Sequence, residues 1–226
     1  MELSSETLTV LKNYATINPN FVFKHGDSIS TMSEAKNILS MHKLSEPFDK
    51  EIGIYDLPEF LSAVDLVDSP RFKFEDDYVT IGDSTGLSSI KYYYSSAEML
   101  THPNEKLLEN AQNMGDPVVT FQLDHETLSK LKKAASAFGH SDLVVTRSEA
   151  GIKLTVSDIE NSTANNYSID VPGDVTTEEP ILVLNINNLK IIPGDYTVSI
   201  LDKMFAHISN DNIQYWIACE KSKSKI

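Results

Sequence analysis

Apolar and polar residues alternate in "VVTFQL" (118–123), and then the pattern changes to helical spacing. Leu128, Leu131, Ala135 and Phe138 fall on one stripe of that helix and predict its core face. The start of the chain has the same character, with Leu8, Leu11, Ala15 and Asn18 in the matching positions. Asn18 is polar, so the first helix is expected to end there. Both helices open alike. "LSSETLTVLK" (3–12) and "LDHETLSKLK" (123–132) share Leu, Glu, Thr, Leu, Leu and Lys at identical spacing, 120 residues apart. Ser4 and Asp124 are good N-caps, because a short side-chain oxygen accepts from a free amide of the first turn. Glu6 and Glu126 sit in that turn, where negative charge suits the helix dipole. Only Met1 to Leu3 precede the first helix, so its leading strand must be short.

Short period-two segments bounded by Gly, Asp, Asn and Ser follow each helix, and they read as strands and hairpins. In the first half they are "NFVFK" (20–24), "SISTMS" (28–33), "NILSMHK" (37–43) and "EIGIY" (51–55). In the second they are "DLVVTR" (142–147), "GIKLTVS" (151–157), "NNYSID" (165–170) and "PILVL" (180–184). Each half then predicts a second short helix. "YDLPEFLSAV" (55–64) is capped at Asp56 with Pro58 in its first turn, and "LNINNLKIIPG" (184–194) is capped at Asn185 and stops at Pro193-Gly194. Three strands close each half: "RFKFE", "YVTIG" and "LSSIKYYY", then "DYTVSIL", "FAHIS" and "NIQYWIACE". The order strand, helix, four strands, helix, three strands is thus given twice. This is an α+β chain of two similar domains, each with two short helices packed on antiparallel sheet. The domains are expected at 1–95 and 117–226, joined by a polar linker, 96–116, with one helical turn near Leu107 and Leu108.

Composition narrows the class. At 226 residues and 41% hydrophobic, the chain has enough apolar side chains for a proper core. Its single cysteine, Cys219, makes neither an internal disulfide nor a thiolate metal site, which fits a reducing compartment. No secretory signal and no run of ~20 apolar residues is present, so no membrane partner is expected. The formal net charge is −14, and both halves are acidic. An acidic chain argues against nucleic-acid binding unless its lysines are locally concentrated.

"LSSETLTVLKNYATIN" (3–18), "IYDLPEFLSAVDLV" (54–67) and "IPGDYTVSI" (192–200) resemble the sliding clamps of T-even-type tailed bacteriophages, which are DNA polymerase processivity factors. The likeness runs over nearly the whole chain. It implies a homotrimeric ring of DNA-clamp domains, with helices lining a hole that holds duplex DNA independently of sequence. It implies as partners the DNA polymerase and an ATP-dependent clamp loader, in the cytoplasm of the infected host. It also implies a site for partner peptides beneath the linker, near Leu107 and Leu108 and against the strand carrying Tyr215 and Ile217. Subunits are expected to join through the edge segments "IKYYY" (90–94) and "NNYSIDV" (165–171), with Tyr92, Tyr94, Tyr167 and Ile169 at the junction. Such strand pairing uses free backbone groups and needs few side chains; the same aromatics also suit ordinary strand packing.

The exposed helix faces carry the chemistry. With Leu131 at the centre of the buried side, ~100° per residue puts Lys133 almost opposite, Lys130 on the flank and Lys132 nearer the core edge. Lys12 corresponds to Lys132, and Lys190 adds a charge beside Asn187 and Asn188. Point charges on flexible stems hold phosphates without reading bases. Exposed lysines also serve merely to solvate a helix. Glu59, Ser62 and Asp65 on the second helix would not attract phosphate, so the second domain is expected to dominate the contact. An acidic exterior would repel DNA from outside, with screening over ~8 Å leaving interior lysines to act locally.

Nothing in the chain reads as catalytic. There is no glycine-rich phosphate loop, and "HGDS" (25–28) and "IGDS" (81–84) serve turns. The six histidines show no close metal-ligand spacing, and neither a metal nor any other cofactor is expected. The leading reading is a processivity clamp. The alternative is a duplicated interaction scaffold that does not encircle DNA, and a hydrolase with a site assembled from distant residues is weaker still.

Overall fold

The computed structural model describes all residues, Met1–Ile226, in two compact units, Met1–Asn104 and Glu105–Ile226. Segment 96–116 is divided between them.

In the first unit, helix α1 (Ser5–Ile17) is capped by the Ser4 side chain, which accepts from Thr7 N at 3.0 Å. Glu46 accepts from Ser4 N at 2.7 Å and fixes the chain just before the helix. The stripe that α1 buries is Thr7, Val10, Leu11, Tyr14 and Ile17. Leu8 and Ala15, expected in the core, are only half-buried. The shift has a packing cause: α1 lies against β2 (Gly26–Met32) and β3 (Ile38–Phe48) but also against α2 (Leu57–Val64), so its buried arc is turned. Asn18 closes the helix as expected, and it is also buried; its amide donates to Met32 O and Thr101 O at 2.9 and 2.7 Å.

Strand β1 (Phe21–Phe23) pairs antiparallel with β4 (Ile52–Ile54), and β2 with β3. The strand expected over 37–43 is longer: β3 runs on through Ser45-Glu46-Pro47 to Phe48, and its pairing with β2 shifts register between Gly26 and Ser28. Helix α2 keeps its Asp56 cap and Pro58. A meander of β5 (Arg71–Phe74), β6 (Tyr78–Gly82) and β7 (Ser89–Tyr93) follows, and β7 is its edge. The short leading strand reduces to one residue: Met1 N donates to Phe72 O and Phe72 N to Met1 O, at 2.9 and 2.8 Å.

The second unit opens with α3 (Glu105–Gln112), two turns where one was expected. Strand β8 (Pro117–Leu123) leads into α4 (His125–Phe138). Asp124 caps α4 by accepting from Thr127 N at 2.6 Å, and Gly139, at φ 70°, ends it in the left-handed conformation that glycine adopts without steric cost. Leu128, Leu131 and Ala135 are buried as predicted. Phe138 is not: it is 41% exposed in the last turn, tilted against His140.

Beneath α4, β11 (Tyr167–Val171), β10 (Gly151–Ser157), β9 (Asp142–Ser148) and β13 (Ile181–Asn185) form one antiparallel sheet in that order. Between them the chain crosses to another sheet, where β12 (Gly173–Val175) pairs with β8. A Cβ at Gly173 would lie 2.6 Å from Thr120 O, so only glycine fits that crossing. β8 also pairs with β14 (Tyr196–Leu201), which pairs with β15 (Phe205–Ser209), and β15 with β16 (Ile213–Ala218).

The second helix of this unit is a correction. Only a three-residue 3-10 turn, Ile186–Asn188, forms. Asn185 caps it by accepting from Asn187 N at 3.0 Å, but Pro193 cannot donate and forces Ile192 toward extended backbone. Ile192 N is satisfied by the Tyr215 hydroxyl at 3.2 Å instead.

Leu131 is completely sealed from solvent. Leu131→Ala should cost about 2–5 kcal/mol, whereas Lys133→Glu, on the opposite face, should stay within about ±0.5 kcal/mol; denaturant unfolding of the two variants against the parent measures both.

Candidate nucleic-acid interface

Burial of one side of α4 decides where its lysines point. Lys130 and Lys133 are exposed, and Lys132 lies half-buried between them. Burial pulls the Lys132 ammonium below its usual pKa. Lys130 is pushed up by its ion pair with Glu126, one turn earlier, at 2.6 Å. Lys132 and Lys133 pair with no carboxylate. Two shallow depressions flank this face. One, of roughly 530 Å³, lies between α4 and the 186–190 turn and brings together Lys132, Ser136, His140, Asn187 and Lys190. The other, of roughly 320 Å³, is lined by His125, Ser129, Lys132, Lys133, Ile191 and Pro193. Three of the five sequence-predicted lysines, Lys132, Lys133 and Lys190, therefore line these two depressions, which share Lys132 and Ser136; the fourth, Lys130, is exposed on the flank of α4 outside both.

The fifth, Lys12, stands apart on α1. Its ammonium is 3.1 and 3.2 Å from the two carboxylate oxygens of Asp65, at the C-terminus of α2. The exposed charges on the helices of the first unit are thus mostly acidic: Glu6, Glu59 and Asp65 against Lys12. Sequence periodicity located these residues, but it carried no signal of the Lys12–Asp65 pair, whose members lie on different helices.

The expected junction segments are both sheet edges, since β7 hydrogen-bonds only β6 within its sheet and β11 only β10. Tyr92 turns inward from β7 and meets Phe60 edge-on at 5.2 Å. Its hydroxyl donates to Asp56 O, with Glu59 Oε2 also at 3.2 Å, and burial with the Glu59 charge raises its pKa to about 12. Tyr94 is likewise raised to about 12 by burial and nearby acids, and its hydroxyl is buried with no partner. Tyr167 and Ile169 are half-exposed on β11. Tyr93, between Tyr92 and Tyr94 on β7 and not singled out at the junction, is 65% exposed.

At the expected peptide site, Leu107 and Leu108 are half-exposed on α3, whereas Tyr215 and Ile217 are fully buried in β16. Only the leucines are open to a ligand at their surface.

The architecture is that of a DNA clamp. It matches a putative DNA polymerase III beta subunit from Eubacterium rectale with a TM-score of 0.65 at 10% identity, covering 94% of this chain and 63% of that one. It matches the Helicobacter pylori beta clamp bound to DNA ligase peptide with a TM-score of 0.63 at 13% identity, covering 96% and 65%. This chain thus spans somewhat less than two thirds of those bacterial proteins. The family model described as "DNA polymerase processivity factor" matches residues 4–80, and that described as "gp45 sliding clamp, C terminal" matches 120–221. The sliding clamp of Vibrio phage KVP40 is 33% identical over 97% of this chain and 99% of its own. Those of Escherichia phage RB69 and Enterobacteria phage T4 are 26% and 27% identical, each over 97% of both chains. The chain belongs to the phage sliding-clamp family of DNA polymerase processivity factors.

Tyr215→Phe removes the acceptor for the half-buried Ile192 N–H. It should cost about 0.5–1.5 kcal/mol in denaturant unfolding, a stability loss that marks Tyr215 as part of the core of the second unit rather than as a freely removable contact.

Proposed function

We propose that this chain forms a homotrimeric ring that encircles duplex DNA and tethers the replicative DNA polymerase, in the cytoplasm of the infected host. An ATP-dependent clamp loader opens and closes the ring, and the chain itself carries out no chemistry. Family membership supports the class, and the observation that carries the DNA reading is the lysine face of α4. Lys130 and Lys133 lie opposite the buried Leu128, Leu131 and Ala135, with Lys132 and Lys190 beside them. Phosphates spaced along duplex DNA attract such charges without regard to sequence. Lys12 is the weaker fifth contact.

The ring closes head to tail when the β7 edge of one subunit pairs with the β11 edge of the next, and Tyr92, Tyr94, Tyr167 and Ile169 flank that junction. Support comes from two open edges carried by similar units of one chain, the arrangement a heterologous, closing interface requires. The partner-peptide site is placed at Leu107 and Leu108, with Tyr215 and Ile217 as its buried backing. The H. pylori beta clamp bound to DNA ligase peptide supports peptide docking as the mode of partner binding.

The test starts with assembly. Sedimentation should give a trimer that dissociates on dilution; monomer alone at high micromolar concentration favours a scaffold that never encircles DNA. Lys130→Glu with Lys133→Glu should keep trimer mass and thermal stability, yet load poorly on primed circular DNA, with the defect growing as salt rises. Loading and processive synthesis equal to the parent at every salt concentration would leave these lysines as solvated surface. Leu107→Asp should abolish polymerase stimulation while sparing the trimer; retained stimulation moves the docking site elsewhere.

A further inference from the structure

The basic residues offered to DNA are not equivalent, and the difference lies in what each already touches. Lys133 and Lys132 have no carboxylate partner, so they bring uncompensated positive charge to a phosphate. Lys12 and Lys130 do not. Lys12 is held between both oxygens of Asp65 across two helices. Lys130 is held by Glu126 at 2.6 Å, with the acid N-terminal to the base at i,i+4, the better orientation of such a pair. Neither acid side chain is packed into the fold, although Glu126 also lies in the first turn of α4, where its charge suits the helix dipole. The Asp65 and Glu126 carboxylates hydrogen-bond only those lysines, and the two acid side chains are 61% and 77% exposed.

We propose that Asp65 and Glu126 are resident competitors for phosphate that weaken the hold of the clamp on DNA. The inference rests on the reading of these helix faces as the DNA-facing surface. A lysine that arrives with its own carboxylate brings no net charge. To meet a phosphate it must exchange one anion for another, and the released carboxylate is then left beside the DNA backbone, where it repels. Such a contact displaces no condensed counterion, and counterion release is the source of both affinity and salt dependence in sequence-independent binding. Two of the five candidate contacts are therefore muted in advance: Lys12 on the first unit, and Lys130 on the exposed flank of α4. The unpaired Lys133 and Lys132 supply the attraction. The paired lysines limit it, so the enclosed duplex is attracted without being gripped, the condition for movement along it.

The experiment measures equilibrium binding of the trimer to a short blunt-ended fluorescent duplex, onto which a ring threads without a loader, across a salt series. The double variant Asp65→Asn with Glu126→Gln should bind more tightly at low salt. The plot of log affinity against log salt should steepen by roughly 0.9 for each phosphate newly neutralised. Two comparisons fix the meaning. Asp211→Asn with Glu178→Gln changes net charge equally at exposed acids away from the helix faces, and it should leave the slope as in the parent. Lys133→Glu should make the slope shallower. A parental slope in the Asp65/Glu126 variant, with Lys133→Glu still making it shallower, overturns the competitor role and leaves the DNA reading standing. Equal steepening in the Asp211/Glu178 control also overturns it, since net charge alone would then be responsible. If Lys133→Glu changes nothing either, the DNA-facing assignment itself falls.

Discussion

Leu131 has no solvent-accessible surface, and with Leu128 and Ala135 it locks the rotation of α4 about its own axis against the sheet below. A helix of 14 residues cannot turn its charged side elsewhere without exposing that stripe. The Asp124 cap and Gly139 stop fix where the helix starts and ends, so the positions of Lys130, Lys132 and Lys133 follow from packing. The same constraint acts on α1 with a different outcome. There the buried arc includes Tyr14, whose hydroxyl accepts from Ser40 Oγ at 3.1 Å, and Lys12 is left next to the end of α2.

The two units share a plan but not its execution. The strand order β3-β2, β1-β4 in the first corresponds to β11-β10-β9-β13 in the second, and each is followed by an antiparallel three-strand meander. The second unit joins its four strands into one sheet, while the first leaves β2–β3 and β1–β4 as separate ladders. A full helix in the first unit answers to a single 3-10 turn in the second. The β13 edge is closed by the chain itself, through bridges at Ile181–Lys225 and Leu184–Cys219 and a Lys223–Asp142 ion pair of 2.9 Å. That leaves β11 as the open edge of its sheet, and open edges are where strands from another chain add.

Much of this was readable from the residues, because caps and periodicity are local. Ser4, Asp56 and Asp124 read as caps, and alternation marks the strand segments except β12, whose three residues are too few to show a period. Readings that depended on neighbours distant in sequence were less secure. The α1 stripe turned because α2 packs beside it. Phe138 kept the right spacing but lay beyond the reach of the sheet. The expected helix at 184–194 failed because Asn and β-branched Ile favour helix weakly and Pro193 blocks its continuation. At the candidate interface, exposure of Lys130 and Lys133 followed from spacing alone. The pairing of Lys12 with Asp65, 53 residues away, needed the fold.

Trp216 is the only tryptophan of the chain, and it lies buried in the second unit, stacked on His207 at 5.0 Å and 16°. Burial holds the His207 imidazole below its ordinary pKa of 6.5, against the opposing hydrogen bond to Gln214. The indole therefore rests on a neutral ring near pH 7, and a charged imidazole would quench it. The duplicated architecture thus carries an optical label on one copy only. Indole emission therefore reports on the second unit alone without an attached dye, whereas tyrosine signal comes from both units.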